Sequence, residues 1–335
     1  MNVMQVINTI DSHTEGEPTR VIISGLPFLN GGTVAEKRDQ FKAEYDFIRK
    51  AVLWEPRGHR DMFGAVLLPP SNPKAECGAF FLDSGGYLDM CGHGSIGLIT
   101  TCFSIGMISK KINQHERYLD TPAGLVRFKP EFKHNKLKAV TVQNVPSFLL
   151  ESEIIFNISS IGNIKADVAY AGNFFLLTDS SQFGMCIEHK NLSKFIELGL
   201  KLREKANQVL EISHPKTGAR QTIDAVEFYE ELENSKAHAR NIVIFGSGQV
   251  DRSPCGTGTC AKMASLHAKG MLNINTTFIN QGILGRYFIG KIIAETKVGK
   301  YDAVIPEITG RAWITGFNQF VIDPEDPFAT GFLLV

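Results

Sequence analysis

Two short stretches of the chain carry sulfur in a setting where it could act. One is Met90-Cys91-Gly92-His93-Gly94-Ser95, the other Pro254-Cys255-Gly256-Thr257-Gly258-Thr259-Cys260. Both read Cys-Gly-x-Gly-Ser/Thr. Each runs into an apolar stretch whose spacing predicts a helix, closed by a glycine, Gly106 or Gly270, fifteen residues after its cysteine. Apolar residues also match by offset: Ile96 with Cys260, Ile99 with Met263, Cys102 with Leu266, Met107 with Met271 and Ile108 with Leu272. Glycines at such a loop let backbone N–H groups converge with no Cβ in the way, which makes an anion-binding nest. The helix N-terminus adds about half a positive charge. That field suits a carboxylate, and it is expected to lower a thiol there from about 8.5 toward neutrality. Two such loops on one ligand would put a sulfur on either side of the carbon next to its carboxylate. A thiolate on one face removes the α-proton and a thiol on the other returns one, inverting the centre by general acid–base catalysis. The nests would hold the charge that grows on the carboxylate in the enolate-like transition state. No pyridoxal-phosphate lysine motif and no metal cage stands out.

The elements around these loops repeat in order. Val3–Ile10 and Thr19–Ser24 read as strands joined by polar turn chemistry at Asp11–Pro18. Glu36–Leu53 carries Phe41, Tyr45, Ile48 and Val52 at helical spacing and is expected to form one amphipathic helix. Phe63–Leu68 and Ala79–Leu82 are short strands before the first loop, and Tyr118–Val142 reads as hairpins. The second half offers strands at Phe156–Ile158 and Val168–Leu177, then a helix marked by Leu192, Phe195, Ile196, Leu202, Val209 and Leu210. Strands at Thr222–Tyr229 and Asn241–Phe245 precede the second loop, and Phe278–Val321 alternates like antiparallel hairpins. Each half therefore runs strands, helix, strands, Cys-Gly-x-Gly, helix, hairpins. The expected division is 1–130 and 131–315, with 316–335 a candidate to return to the first domain.

Length and composition fit two globular domains, with 335 residues, 43% hydrophobic and 21% charged. A formal net charge of zero argues against nucleic acid, and no apolar run approaches the roughly 18 residues that span a membrane. The start, Met1 to Ile7, has no basic region of the kind a signal peptide carries. The six cysteines are then expected to be thiols in a reducing cytoplasm.

At the two loops the match becomes specific. MCGHGSIG and DRSPCGTGTCAK resemble the two active-site signatures of the proline racemase family, which includes 4-hydroxyproline epimerases. The resemblance runs nearly end to end, through IDSHTEGEPTRV, EPRGHRDMFGA, NVPSF, VIFGSGQVDRSPCGTGT and ITGFNQFVIDPEDP. It implies an α/β (α+β) fold similar to diaminopimelate epimerase. Two pseudo-symmetric domains would each wrap a mixed sheet around a central helix, with the active site in the interdomain cleft. It also implies a cofactor-independent homodimer that racemises proline, using Cys91 and Cys255 as the acid/base thiols. Backbone N–H groups of Gly92, His93, Gly256 and Thr257 would hold the carboxylate. His93 and Asp251 would bind the amine, and Phe63 and Phe245 would line the ring pocket. Two phenyl rings give no donor for a ring hydroxyl, which resembles the proline-selective members. The 4-hydroxyproline 2-epimerases are the alternative. The trans-3-hydroxyproline dehydratases of the family replace one thiol by Ser or Thr, and both cysteines are present here.

Plainer readings stand beside these. Cys77, Cys102, Cys186 and Cys260 read as core thiols. Asp251 could cap a turn, and Phe63 and Phe245 could be core aromatics. His13, His59 and Glu17 read as residues whose hydrogen bonds hold their loops. A zinc deaminase site would want Pro-Cys-x-x-Cys, whereas Cys255 and Cys260 are five apart. A Cys91–Cys255 redox switch lacks the Cys-x-x-Cys layout, and an idle anion-binding protein would have no need of the thiols.

Overall fold

The computed structural model describes residues 4–109, 117–158, 161–215, 218–233 and 235–334. The expected first strand began at Val3, which lies outside them. The chain forms two compact units, Met1–Val142 with Arg311–Val335, and Gln143–Gly310. The division falls after Val142 rather than near 130, because a cut at 130 would split a hairpin in which Phe128 pairs with Val142.

In the first unit, β1 (Gln5–Thr14) and β2 (Glu17–Ser24) lead to α1 (Val34–Glu44) and α2 (Asp46–Leu53). Then come β3 (Phe63–Leu68), β4 (Ala75–Asp83), β5 (Tyr87–Leu88), α3 (Gly92–Ser104), β6 (Arg117–Thr121), β7 (Gly124–Lys133) and β8 (Lys136–Gln143). The strand Ala312–Ile322, near the end of the chain, pairs antiparallel with β1. From that strand the ladder runs β1, β2, β3, β4, β6, β7, β8. Only β2–β3 and β4–β6 are parallel.

The second unit holds β9 (Phe148–Ile158), β10 (Gly162–Tyr170), β11 (Phe174–Asp179), α4 (Leu192–Val209), β12 (Ile212–Ser213) and β13 (Arg220–Gln221). It continues with β14 (Ala225–Glu231), β15 (Ala239–Phe245), β16 (Gln249–Asp251), α5 (Gly256–Ala268), β17 (Thr277–Gln281), β18 (Tyr287–Val298) and β19 (Tyr301–Gly310). Its ladder runs β9, β10, β11, β14, β15, β17, β18, β19, with β11–β14 and β15–β17 parallel. The two ladders have the same length and the same order of parallel and antiparallel steps. The units are therefore one topology used twice. Unit two is continuous in sequence, whereas unit one takes its first strand from the far end of the chain.

Strand alternation sends successive side chains to opposite faces, and both faces of each sheet are buried. In unit one, Ile22, Val66, Phe80 and Leu82 cluster with Phe41, Ile48 and Val52 of the helices α1 and α2. The alternate residues Val21, Ala65 and Phe81 are also fully buried. That second face belongs to α3, which packs on β1, β2, β3 and the strand Ala312–Ile322. Unit two repeats this, with Phe195, Leu202 and Ala206 of α4 against Leu176, Val226, Phe228, Ile242 and Ile244. There α5 packs on β9, β10, β11, β18 and β19.

The expected single helix over 36–53 is two. Tyr45 leaves helical geometry (φ −130°, ψ 18°), ending α1 and starting α2. The turn lets Phe41 and Ile48 both reach the core on differently directed helices. The run 168–177 is likewise two strands around a turn whose Ala171 N–H donates to Asn173 O. Among the described residues no helix is long and apolar enough to cross a membrane.

Candidate active site: two thiols at helix mouths

Each signature loop places its cysteine as the N-cap of a buried helix. Cys91 caps α3 with its sulfur, which accepts the N–H of Gly94 at 3.4 Å. Cys255 caps α5 in the same way, accepting from Gly258 at 3.3 Å. A thiol here does what Ser or Asp does at an ordinary cap, which is to satisfy an N–H that has no intrahelical acceptor. The first intrahelical bonds run from Ser95 to Cys91 O and from Thr259 to Cys255 O. The N–H groups of Gly92 and His93, and of Gly256 and Thr257, precede those bonds at the helix mouths. Both cysteines are buried, at 8% and 6% exposure.

The helices also end alike. Gly106 and Gly270 take left-handed φ values of 73° and 72°. The following N–H groups, of Met107 and Met271, return to Cys102 O and Leu266 O. This is the glycine C-cap, at a φ that a side chain would strain.

Around Cys91 the structure gathers His93 and Phe63. A ring nitrogen of His93, Nδ1, lies 3.3 Å from the sulfur. The ring meets Phe63 edge-on at 4.4 Å, and Thr14 Oγ1 donates to the His93 carbonyl at 2.9 Å. Gly94 has no room for a Cβ, which would come 2.9 Å from Phe63 and 3.0 Å from Phe81.

Around Cys255 it gathers Thr257 and Asp251. Thr257 Oγ1 is 3.8 Å from the sulfur. Asp251 Oδ1 accepts the Ser253 hydroxyl at 2.7 Å and its N–H at 2.8 Å, and Ser253 Oγ in turn accepts the Cys255 N–H at 3.1 Å. Cys255 sits at φ 53°, a left-handed geometry uncommon for a residue with a side chain. The relay from Asp251 through Ser253 holds it there. Phe245, half-buried, ends β15 opposite Gln249, two residues along from Val243, which pairs with Asp251. Phe245 therefore shares a sheet face with Asp251.

Sequence reasoning missed a polar bed beneath the second loop. Glu227 of β14 is fully buried, and its Oε1 accepts Asn241 Nδ2 at 2.8 Å. Asn241 also donates to Pro254 O, as does the Thr259 hydroxyl, each at 2.9 Å. Asn280 donates to that hydroxyl. A Cβ on Gly258 would lie 2.6 Å from Glu227 Oε2. The only trace in the sequence is a glutamate between Val226 and Phe228 in an otherwise apolar strand start.

The expected lowering of the thiol fails at Cys255. Burial pushes it well above its usual value, and the nearby carboxylates Asp251 and Glu227 push the same way, against the Gly258 N–H. Burial also drives Glu227 up, to about 7, with Asp251 adding to the rise and Asn241 and Lys262 opposing it.

The other cysteines divide. Cys77, Cys102 and Cys260 are buried, whereas Cys186, expected in the core, is exposed. It lies in a loop turn where Asn191 Nδ2 donates to its carbonyl. His13 accepts the Gly16 N–H and stacks on Trp313, and His59 accepts the Asp61 N–H.

The family model described as proline racemase matches residues 9–333. The chain belongs to the proline racemase family. It is 45% identical over 334 residues to a proline racemase of Clostridioides difficile, covering all of both chains. It is 40% identical to a 4-hydroxyproline 2-epimerase of Streptosporangium roseum, again end to end. A solved hydroxyproline epimerase from Agrobacterium vitis, with trans-4-hydroxy-L-proline bound, superposes with a TM-score of 0.90 at 33% identity. That match covers 100% of this chain and 97% of the other. The mixed α/β fold is thus the fold of the family.

Proposed function

We propose that the protein racemises proline without a cofactor, with Cys91 and Cys255 as its two acid/base groups. The observation that carries this is the duplicated capped thiol. In each unit a buried sulfur sits at a helix mouth beside two backbone N–H groups ahead of the first intrahelical bond. One thiolate takes the α-proton of L-proline while the other thiol delivers a proton to the opposite face, and the return reaction exchanges the roles. The N–H groups of Gly92, His93, Gly256 and Thr257 hold the carboxylate as it gains enolate character. His93 and Asp251 take the substrate amine, and Phe63 and Phe245 take the ring. Full-length likeness to a proline racemase supports the substrate. The second reading is 4-hydroxyproline 2-epimerase, supported by end-to-end likeness to two such enzymes. The phenyl rings of Phe63 and Phe245 favour proline, since neither offers a donor to a ring hydroxyl. We expect a cytoplasmic homodimer, which sedimentation would test.

The deciding experiment incubates the protein with L-proline, and separately with trans-4-hydroxy-L-proline, in deuterated water, followed by chiral chromatography and mass spectrometry. D-proline carrying one deuterium at the α-carbon is expected. Faster turnover of hydroxyproline would replace the first reading by the second, and no deuterium entry from either substrate would end both.

A further inference from the structure

The two loops share a backbone but rest on different residues, and cross-strand register identifies them. In unit two, Val243 of β15 pairs with Glu227 on one side and Asp251 on the other. The corresponding row in unit one is Ala65, Phe81 and Leu88. Cross-strand partners point to the same face. The place that Ala65 fills beneath the Cys91 loop is therefore filled by a carboxyl group beneath the Cys255 loop. Gly94 and Gly258 report this directly: a Cβ would strike Phe63 and Phe81 in one case and Glu227 Oε2 in the other. That oxygen is buried and has no hydrogen-bond partner among the described residues. The glycine it lies against donates the N–H that caps Cys255. A fully buried carboxyl group half-satisfied by a single asparagine is destabilising unless it serves something else.

Resting on the racemase reading, we propose that Glu227 is a positioning residue that acts through the Gly258 turn to keep the proton on Cys255. The two thiols then enter turnover in unequal states, Cys255 as the acid and Cys91 as the base. The groups facing Glu227 are Asn241 from β15, Asp251 from β16, and Lys262, Cys255 and Cys260 from α5 and its loop. Lys262 is the one cation among them, and its ammonium is turned onto the Tyr229 ring, 3.1 Å from the centroid. The carboxyl group thus meets the thiol with Lys262 as the only cation of that set to offset it. Once ionised it opposes a second negative charge on the sulfur. On the Cys91 side the residue two positions after the cysteine is an imidazole in contact with the sulfur, where Cys255 has a threonine.

The test reads the thiols themselves and needs no substrate. The full-length protein is labelled with iodoacetamide from pH 6 to 9, and the alkylation rates of Cys91 and Cys255 are read separately by peptide mass spectrometry. In the unaltered protein Cys91 is expected to react first throughout. In Glu227→Gln, which keeps the acceptor for Asn241, Cys255 should label about tenfold faster at pH 8.5. At pH 6, where Glu227 is already protonated in the parent, it should label within about threefold of the parent. A variant disturbed only in its packing would change labelling at both pH values alike. Equal rates at the two cysteines in the unaltered protein would overturn the proposal without any variant. So would a folded Glu227→Gln with the parental ratio at pH 8.5. Absence of racemase activity in the unaltered protein, with the labelling pattern as expected, would count against the racemase reading alone.

Discussion

Helices α3 and α5 begin on the same loop and end on the same glycine turn, yet the sheets beneath them differ. In unit one the row facing α3 is Ile10, Val21, Ala65, Phe81 and Leu88. In unit two the matching row is Asp167, Leu177, Glu227, Val243 and Asp251. The helices answer in kind. Gly92–Ser104 contains no Asp, Glu, Lys or Arg, whereas Gly256–Ala268 carries the buried Lys262. Lys269, just past its end, pairs with Asp167, which also accepts the Ser265 hydroxyl at 2.7 Å. Burial would raise Asp167, but these two donors together hold it below the usual carboxylate range. A duplicated backbone therefore does not duplicate its electrostatics. Cap geometry comes from the helix and the glycines, while the charge around the sulfur comes from strands distant in sequence.

The largest effect should come from removing either thiol. Cys91→Ser and Cys255→Ser should each lower kcat/KM for proline by about a thousandfold, the scale of one acid–base group. An unequal loss between proline enantiomers would sharpen the contrast between the two sulfurs. A variant that keeps the parental rate would remove that cysteine from the chemistry.

Next is the mirror change Ala65→Glu, which puts a carboxyl group under the apolar loop. Ala65 is fully buried beside Phe81. A charge there should lower stability by about 3 kcal/mol or more in urea unfolding. A loss under about 1 kcal/mol would mean that the first loop tolerates the second loop's bed.

Glu227→Gln should show a pH-dependent stability difference. Burial holds Glu227 in the folded state above its ordinary value of 4.5, at about 7. The parent's contribution from this group is thus fully present below pH 4.5 and is lost as pH rises through about 7. Between pH 5 and 7.5 the variant should gain on the parent by on the order of 2 kcal/mol. A pH-independent difference would mean that Glu227 titrates as it does in the unfolded chain.

The smallest effects should be equal in the two units. Gly106→Ala and Gly270→Ala place a side chain at φ near 72° with no atom within 4 Å of the new Cβ. Each should lose about 1 kcal/mol, and by the same amount within error. A clear difference in thermal unfolding would show that even the shared turns are not equivalent.

Much of this was legible in the chain because it is written locally. Cys-Gly-x-Gly, the matched apolar offsets and the closing glycines all lie within eighteen residues, and they specify both capped helices. The strand Phe63–Leu68 was likewise given by its composition. The turn at Tyr45 was not, since Tyr45 fits the helical spacing and only packing of α1 and α2 against one sheet breaks the run. The rise of Cys255 was hidden for a related reason. The helix field that lowers a thiol is encoded next to it, but Glu227 is 28 residues away and arrives through strand register. Cys186 looked like a core residue by type, and only its place in a loop turn exposes it.

The strand Ala312–Ile322 has a consequence for biosynthesis. As the polypeptide leaves the ribosome, Gln143–Gly310 is the first segment able to close a full ladder, because every strand it needs is already its own. β1 must wait, with one edge unpaired, through the translation of some three hundred residues. A stop codon just after residue 310 would then release a chain whose later half is folded while its earlier half is still open.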